Sequence, residues 1–201
     1  MKTNLTLHAM TGAIALALFV IGCSSVTIEQ PLSTHPTPVD KDQFEGTWLV
    51  EKSAIEVKFA SNGVARIAGT EWKDDHFRLV QGEMIVTEGK ENKYISIRFG
   101  EDGDWTNRYF FLRYTFTDRG DLVVWMPNTD AFEKAVETNA LQGVVTKQRD
   151  SKNINVTNTP ATLLDFMDDP ERRDLFEYRK PIVLRRIVAP EKAEQSPERD
   201  K

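Results

Sequence analysis

The feature that most constrains this chain is alternation of apolar and polar side chains at every second residue, sustained over about 70 residues. Ile55, Val57 and Phe59 alternate with Glu56 and Lys58, and Ser61-Asn62-Gly63 follows. Asn-Gly supplies the positive φ angles of a tight hairpin, and a period of two places one set of side chains on one face of a strand. Strands are predicted next at Val64–Glu71, Phe77–Gln81, Met84–Thr87 and Tyr94–Phe99, with a turn at Lys73-Asp74-Asp75. The longest alternation sets Phe110, Leu112, Tyr114 and Phe116 against Tyr109, Phe111, Arg113 and Thr115. Asp118-Arg119-Gly120-Asp121 then turns the chain into Leu122–Met126. Strands at intervals of roughly 8–12 residues with turn residues between them predict an antiparallel barrel or sandwich.

The pattern changes after Pro127. Asp130-Ala131-Phe132-Glu133 has the spacing of a capping box and predicts a short helix ending near Asn139. Val144–Lys147 and Ile154–Thr157 read as strands. Thr159-Pro160 places an N-cap residue before a proline at the first helical position, where its missing N–H costs no hydrogen bond. Leu163, Leu164, Phe166 and Met167 give that helix its apolar stripe, and Ile182–Ile187 reads as a closing strand. The expected fold is mainly β: an antiparallel up-and-down barrel or sandwich with two short helices late in the chain.

Four segments follow. Residues 1–22 carry one basic residue near the start, Lys2, no acid, and the apolar run Met10–Gly22. About 13 residues fall short of the roughly 20 that span a hydrocarbon core, but they fit the apolar region of a signal peptide. Residues 23–43 contain Pro31, Pro36 and Pro38, many hydroxyl residues and no aromatic side chain. Their composition predicts a disordered tether with a reach of roughly 25 Å. Residues 44–188 form the β-rich domain, and 189–201 a charged, disordered tail.

The order Val20-Ile21-Gly22-Cys23 resembles the lipobox of bacterial lipoproteins. The resemblance implies cleavage before Cys23 and attachment of lipid to its sulfur. Ser24 after it, rather than aspartate, implies sorting to the outer membrane, facing the periplasm. Cys23 is the chain's one cysteine, so its lipidation leaves neither a disulfide nor a thiol nucleophile. A second resemblance lies in Gly46-Thr47-Trp48, just before the first expected strand and similar to the Gly-X-Trp motif that opens lipocalin and wider calycin barrels. It implies that Trp48 plugs one barrel end beneath an arginine of the last strand, Arg185 or Arg186, with Trp48 and Arg185 the candidate pair.

Without residues 1–22 the chain holds 25 basic against 31 acidic residues, a net charge of −6. That balance argues against a nucleic-acid partner and against polybasic attachment to anionic lipid. His35 lies in the expected tether and His76 beside a turn, and no Gly-X-Ser-X-Gly elbow is present to build a serine triad. Glu71 beside Trp72, and Glu83, are the acids considered for a glycosidase-type pair, each expected instead on a strand surface. Glu101-Asp102-Gly103-Asp104 lacks the spacing of a calcium loop and reads as a hairpin turn. Arg119-Gly120-Asp121 spells an adhesion tripeptide and likewise reads as a turn. No catalytic, cofactor-binding or metal-binding residue is assigned.

The expected function is that of a non-catalytic outer-membrane lipoprotein, held to the membrane by its lipid and binding a small apolar ligand or an envelope protein. A docking module for envelope assembly and a carboxylate-dependent envelope hydrolase are the alternatives.

Overall fold

The computed structural model describes residues 24–33, 37–51, 53–73, 75–101 and 104–187, with the side chains of 71–73, 101 and 104 left aside. The signal segment, Cys23, His35 and the charged tail from 189 onward lie outside the described residues.

Twelve strands and three short helices follow one another: β1 (Ser25–Ile28), α1 (Lys41–Phe44), β2 (Gly46–Val50), β3 (Ser53–Phe59), β4 (Ala65–Lys73), β5 (His76–Glu88), β6 (Lys93–Glu101), β7 (Asp104–Trp105), β8 (Tyr109–Phe116), β9 (Leu122–Trp125), α2 (Thr129–Glu137), β10 (Gly143–Lys147), β11 (Lys152–Val156), α3 (Pro160–Met167) and β12 (Ile182–Arg186). Strands β2, β3, β4, β5, β6, β8, β9 and β12 form a closed, up-and-down antiparallel barrel of lipocalin-like order. The last strand returns to pair with the first, Arg186 opposite Trp48, and β6 pairs with β8 from Lys93–Tyr114 to Ile97–Phe110. Closure leaves the barrel strands without an open edge to template aggregation. The expected barrel with two late helices is what forms.

The alternation of β8 is borne out with an addition. Leu112 and Tyr114 point into the barrel, while Tyr109 and Phe111 point out of it and are buried as well. They are covered by a second layer built on the outer wall. There β1 pairs in parallel with β11, β11 pairs antiparallel with β10, and β1 joins the barrel through Thr27–Phe110 and Ile28–Tyr109. Helices α2 and α3 complete the layer, burying Phe132, Ala135, Leu163 and Met167 against Phe111, Tyr94 and Ile154.

Four expectations need correction. The segment read as a disordered tether contains β1, and Val26, Ile28 and Leu32 are fully buried. Its overall composition is poor in apolar residues, but these three reach a core whose other buried members run from Ile85 to Phe176, more than fifty positions away. The expected separate strands Phe77–Gln81 and Met84–Thr87 are one continuous β5. Gly82, which looks like a break, serves close approach: a Cβ there would lie 2.8 Å from Ile67 Cγ1 and 2.9 Å from the Arg98 carbonyl. The capping box does not form as read. Asn128 caps α2, its side chain accepting from the Asp130 N–H, and Glu133 binds lysines instead. Gly46-Thr47-Trp48 lies inside β2 rather than before the first strand.

Other local readings hold. Thr159 caps α3 with Pro160 in its first turn. Gly63 and Gly120 take φ angles of 80° and 82° in their turns, so Arg119-Gly120-Asp121 is the connection between β8 and β9.

Candidate functional site

The inward residues of the barrel strands are apolar without exception among those that bound its cavity. Val50, Ile55, Val57, Met84, Leu112 and Val124 contribute from five strands, and β12 adds Ile182 and Leu184. They do not fill the space they enclose. A cavity of about 80 Å³ remains, and no acid, base or amide side chain lines it. Protein interiors otherwise pack like organic crystals, so an opening of this kind in a core is a departure that carries a cost. At roughly 24 cal/mol per Å³ it forgoes about 2 kcal/mol of stability.

One end of the barrel is plugged. Trp48 is 1% exposed, and its Nε1 donates to the Phe44 carbonyl at 2.7 Å. Phe44, at the end of α1, meets Phe116 and Tyr114 edge to face at centroid distances of 5.0 and 5.4 Å. Such edge-on aromatic pairs contribute beyond their buried area. The Arg186 guanidinium lies 6.0 Å from the Trp48 ring centroid and donates from Nη2 to the Glu45 carbonyl at 2.5 Å. The candidate pair of Trp48 with Arg185 is therefore corrected to Trp48 with Arg186. The reason is the period of two: Ile182 and Leu184 face inward, which sends Arg186 to the same side and Arg185 outward, opposite Leu49. Burial holds the Tyr114 hydroxyl neutral far above the usual phenol range.

Above the other end, β4 and β5 extend past their neighbours as a paired ribbon from Gly69–Val80 to Lys73–His76. Phe77 and Leu79 stand on its outward face, 72% and 54% exposed. His76 is exposed at the start of β5.

The sequence candidates for chemistry are dispersed. Glu83 is 8% exposed on the outer face of β5, held by Arg66 at 2.7 Å and by Arg98 through two further contacts. Both guanidiniums also lie over the Trp105 ring, at 5.0 and 5.6 Å. Glu71 and Trp72 lie in β4 at the ribbon, where only the backbone is described, and the loop holding Asp102 and Gly103 lies outside the described residues. Among the described residues, no group of three His, Cys, Asp or Glu side chains is placed to hold a metal ion, and no helix is long and apolar enough to cross a membrane.

The structure adds a polar node that sequence reading missed. Asp168, the C-cap residue of α3, is 7% exposed. It accepts from the Lys90 N–H at 2.5 Å, the Tyr94 hydroxyl at 2.8 Å and Asn92 Nδ2 at 3.0 Å. Burial, and then the bond to Asp168, push the Tyr94 hydroxyl far above its ordinary range. Gly89 makes room for this carboxylate, since a Cβ there would lie 2.2 Å from Asp168 Oδ2. A broad polar groove of about 890 Å³ runs beside the node past Arg113, Arg172 and Tyr178. Arg113 is stacked between Trp125 and Tyr178 and bonded to the Tyr178 hydroxyl, while Arg172 lies 4.0 Å from the Phe166 ring centroid and pairs with Asp169. These groups fasten the outer layer to the barrel. Only a lone aspartate on a helix end, 74 residues from its tyrosine, marked the node in the sequence, and no local pattern links the two.

The apolar cavity within the barrel is thus the strongest candidate for a binding site, and its chemistry is limited to holding an apolar group out of water. Comparison with known proteins finds no matching family model, no matching curated protein and no matching solved structure.

Proposed function

We propose that this chain is a lipid-anchored outer-membrane protein, facing the periplasm, whose barrel takes up one slender apolar ligand such as an alkyl chain. The observation that carries the reading is the unfilled lumen lined by apolar side chains. Pockets for drug-sized ligands run to roughly 300–1,000 Å³, so about 80 Å³ suits a narrow chain rather than a ring system. The ligand gains by recovering contacts that the facing walls lack, and it needs no polar partner inside. The plug of Trp48, Phe44 and Arg186 has the arrangement expected from the lipocalin resemblance, with entry then left to the ribbon end. The absence of carboxylates from the cavity lining counts against a hydrolase working there.

The test is direct. The soluble form beginning at Ser24 is purified, and its extracted ligands are examined by mass spectrometry. A stoichiometric acyl compound is expected, with displacement of a fluorescent fatty acid by free fatty acid and loss of that binding in Val57→Phe. An empty protein with no affinity for the probe overturns the reading. For the address, Cys23→Ala should release the protein from the membrane fraction or leave it unprocessed, and unchanged membrane retention refutes the anchor.

A second reading, docking to an envelope protein, is favoured by one observation: Phe77 and Leu79 lie exposed on the same face of the projecting ribbon. Contiguous exposed apolar surface marks interaction sites when it reaches a few hundred Å². Phe77→Ser with Leu79→Ser abolishes partner capture on this reading and leaves acyl binding intact.

A further inference from the structure

Ser24 is fixed: its hydroxyl oxygen accepts from the Lys152 N–H at 3.0 Å. Ser25 donates to Asn153 Oδ1 at 2.7 Å and opens β1, whose four residues run in register with Asn153 to Val156. Val26 and Ile28 are buried in the second core. The chain therefore has no slack on the domain side of Ser24. Cys23 is one trans peptide away, about 3.8 Å from Cα to Cα. An acyl anchor on that residue would be attached almost directly to the folded surface.

The surface concerned is well defined. In the outer sheet β1 and β11 begin, and β10 ends, at the same margin, with Lys147 opposite Lys152 and Ser24 beside it. The turn at residues 148–151 projects from this margin, and Gln148, Asp150 and Ser151 line a shallow cleft with Ser24. Charge there is compensated. Lys152 is bonded to Asp130 at 2.6 Å and to Glu133, and Lys147 reaches Glu133 at 2.6 Å and Glu137 at 3.3 Å. Cations already committed to carboxylates give little of the roughly 1 kcal/mol per residue that free basic side chains draw from anionic lipid. The margin suits a zwitterionic headgroup layer, with adhesion supplied by acyl chains and orientation by the short connection.

We propose that this margin of the outer sheet, Ser24 with the 148–151 turn, lies against the headgroups of the membrane. It rests on the lipid-anchor reading above. The domain then stands on its second layer with a fixed face to the bilayer, in place of swinging on a tether of roughly 25 Å.

The test uses the full chain, lipidated in a Gram-negative host and reconstituted into phosphatidylcholine vesicles that contain a headgroup-level quencher lipid. Because Cys23 is the sole cysteine and is consumed by lipid, Gln148→Cys, Asp75→Cys and Asn107→Cys each supply one free thiol for a fluorescent label. Residues 75 and 107 lie in turns at the far end of the barrel strands, towards which β1 runs from Ser25 to Ile28. The expected result is flotation of all three with the vesicles and strong quenching at 148 against weak quenching at 75 and 107, unaffected by salt. A 20-residue Gly/Ser insertion after Ser24 should keep flotation and erase the difference. Flotation with equally weak quenching at all three positions overturns the orientation and leaves the anchor standing. Failure to float overturns the anchor and the orientation together.

Discussion

The two cores of this protein share a wall yet solve packing differently. Inside the barrel, one ring of inward side chains from eight strands must meet across a fixed diameter. Closure sets that diameter through strand number and stagger, so the side chains cannot move closer to erase a void. Outside, α2, α3 and the β1–β11–β10 sheet rest on Tyr94, Phe111 and Ile85 and are free to settle until contact is complete. The outer core accordingly holds many of the most deeply buried large side chains, Phe111 and Phe132 among them, and it accommodates a satisfied carboxylate at Asp168. A closed sheet preserves an internal space, whereas a layer laid upon it does not. On the proposed reading the interior binds, and the exterior supplies cohesion.

Adjacent residues of β8 provide the sharpest way to break the comparison. Phe111→Ala, in the close-packed outer core, should cost about 3–5 kcal/mol, whereas Leu112→Ala, beside the cavity, should fall near 2 kcal/mol because part of its surface already lacks contacts. Urea titrations of the two variants measure the gap, and equal losses would deny that the cores differ.

Asp168→Ala ranks next. It strands the buried Tyr94 hydroxyl and the Lys90 N–H, at a cost of about 2–3 kcal/mol. The loss should appear as faster amide exchange in α3 and the 89–93 turn, with the barrel strands protected.

Filling the void should act in the opposite direction. Val57→Ile or Val124→Ile is expected to add about 0.5–1 kcal/mol, seen as a rise in Tm, while weakening acyl binding. Stabilisation with binding unchanged would place the ligand elsewhere.

The smallest effect concerns pH. Bonds from Lys147 and then Lys152 hold the Glu133 carboxyl below its ordinary range. A depressed folded value contributes stability above the unfolded pKa of about 4.3 and loses it as pH falls through the lower folded value. Acidification below about pH 4 should therefore loosen α2 from β10 and β11 while the barrel, whose cavity lining holds no titratable group, remains closed. Helix-specific amide exchange between pH 5 and pH 3 checks this.

The division of legibility follows the same boundary. The period of two in β3, β6 and β8 disclosed the barrel because each strand pairs mainly with the strands before and after it, and hairpin turns at Gly63 and Gly120 announce those pairings. It even carried the rule that selects Arg186 over Arg185, once the inward set of β12 was known. The second layer was hidden, since it is assembled from distant pieces. Val26 and Ile28 look like stray hydrophobes in a proline-punctuated leader until β11 stands beside them. Gly82 reads as a breaker until the Arg98 backbone is seen against it. Asn128, two residues before the expected cap, takes the role given to Asp130, whose carboxylate pairs instead with Lys152 across the layer.

The pairing of β1 with β11 also sets an order of events. Ser25 finds its partner Asn153 only after the chain has grown by a further 128 residues. Contacts of such sequence separation form late and slow the folding of the chains that depend on them. The first of the described strands is thus among the last to find its place. During that interval Val26 and Ile28 remain exposed on an unfinished chain, which makes the beginning of the protein the part most in need of protection until its end arrives.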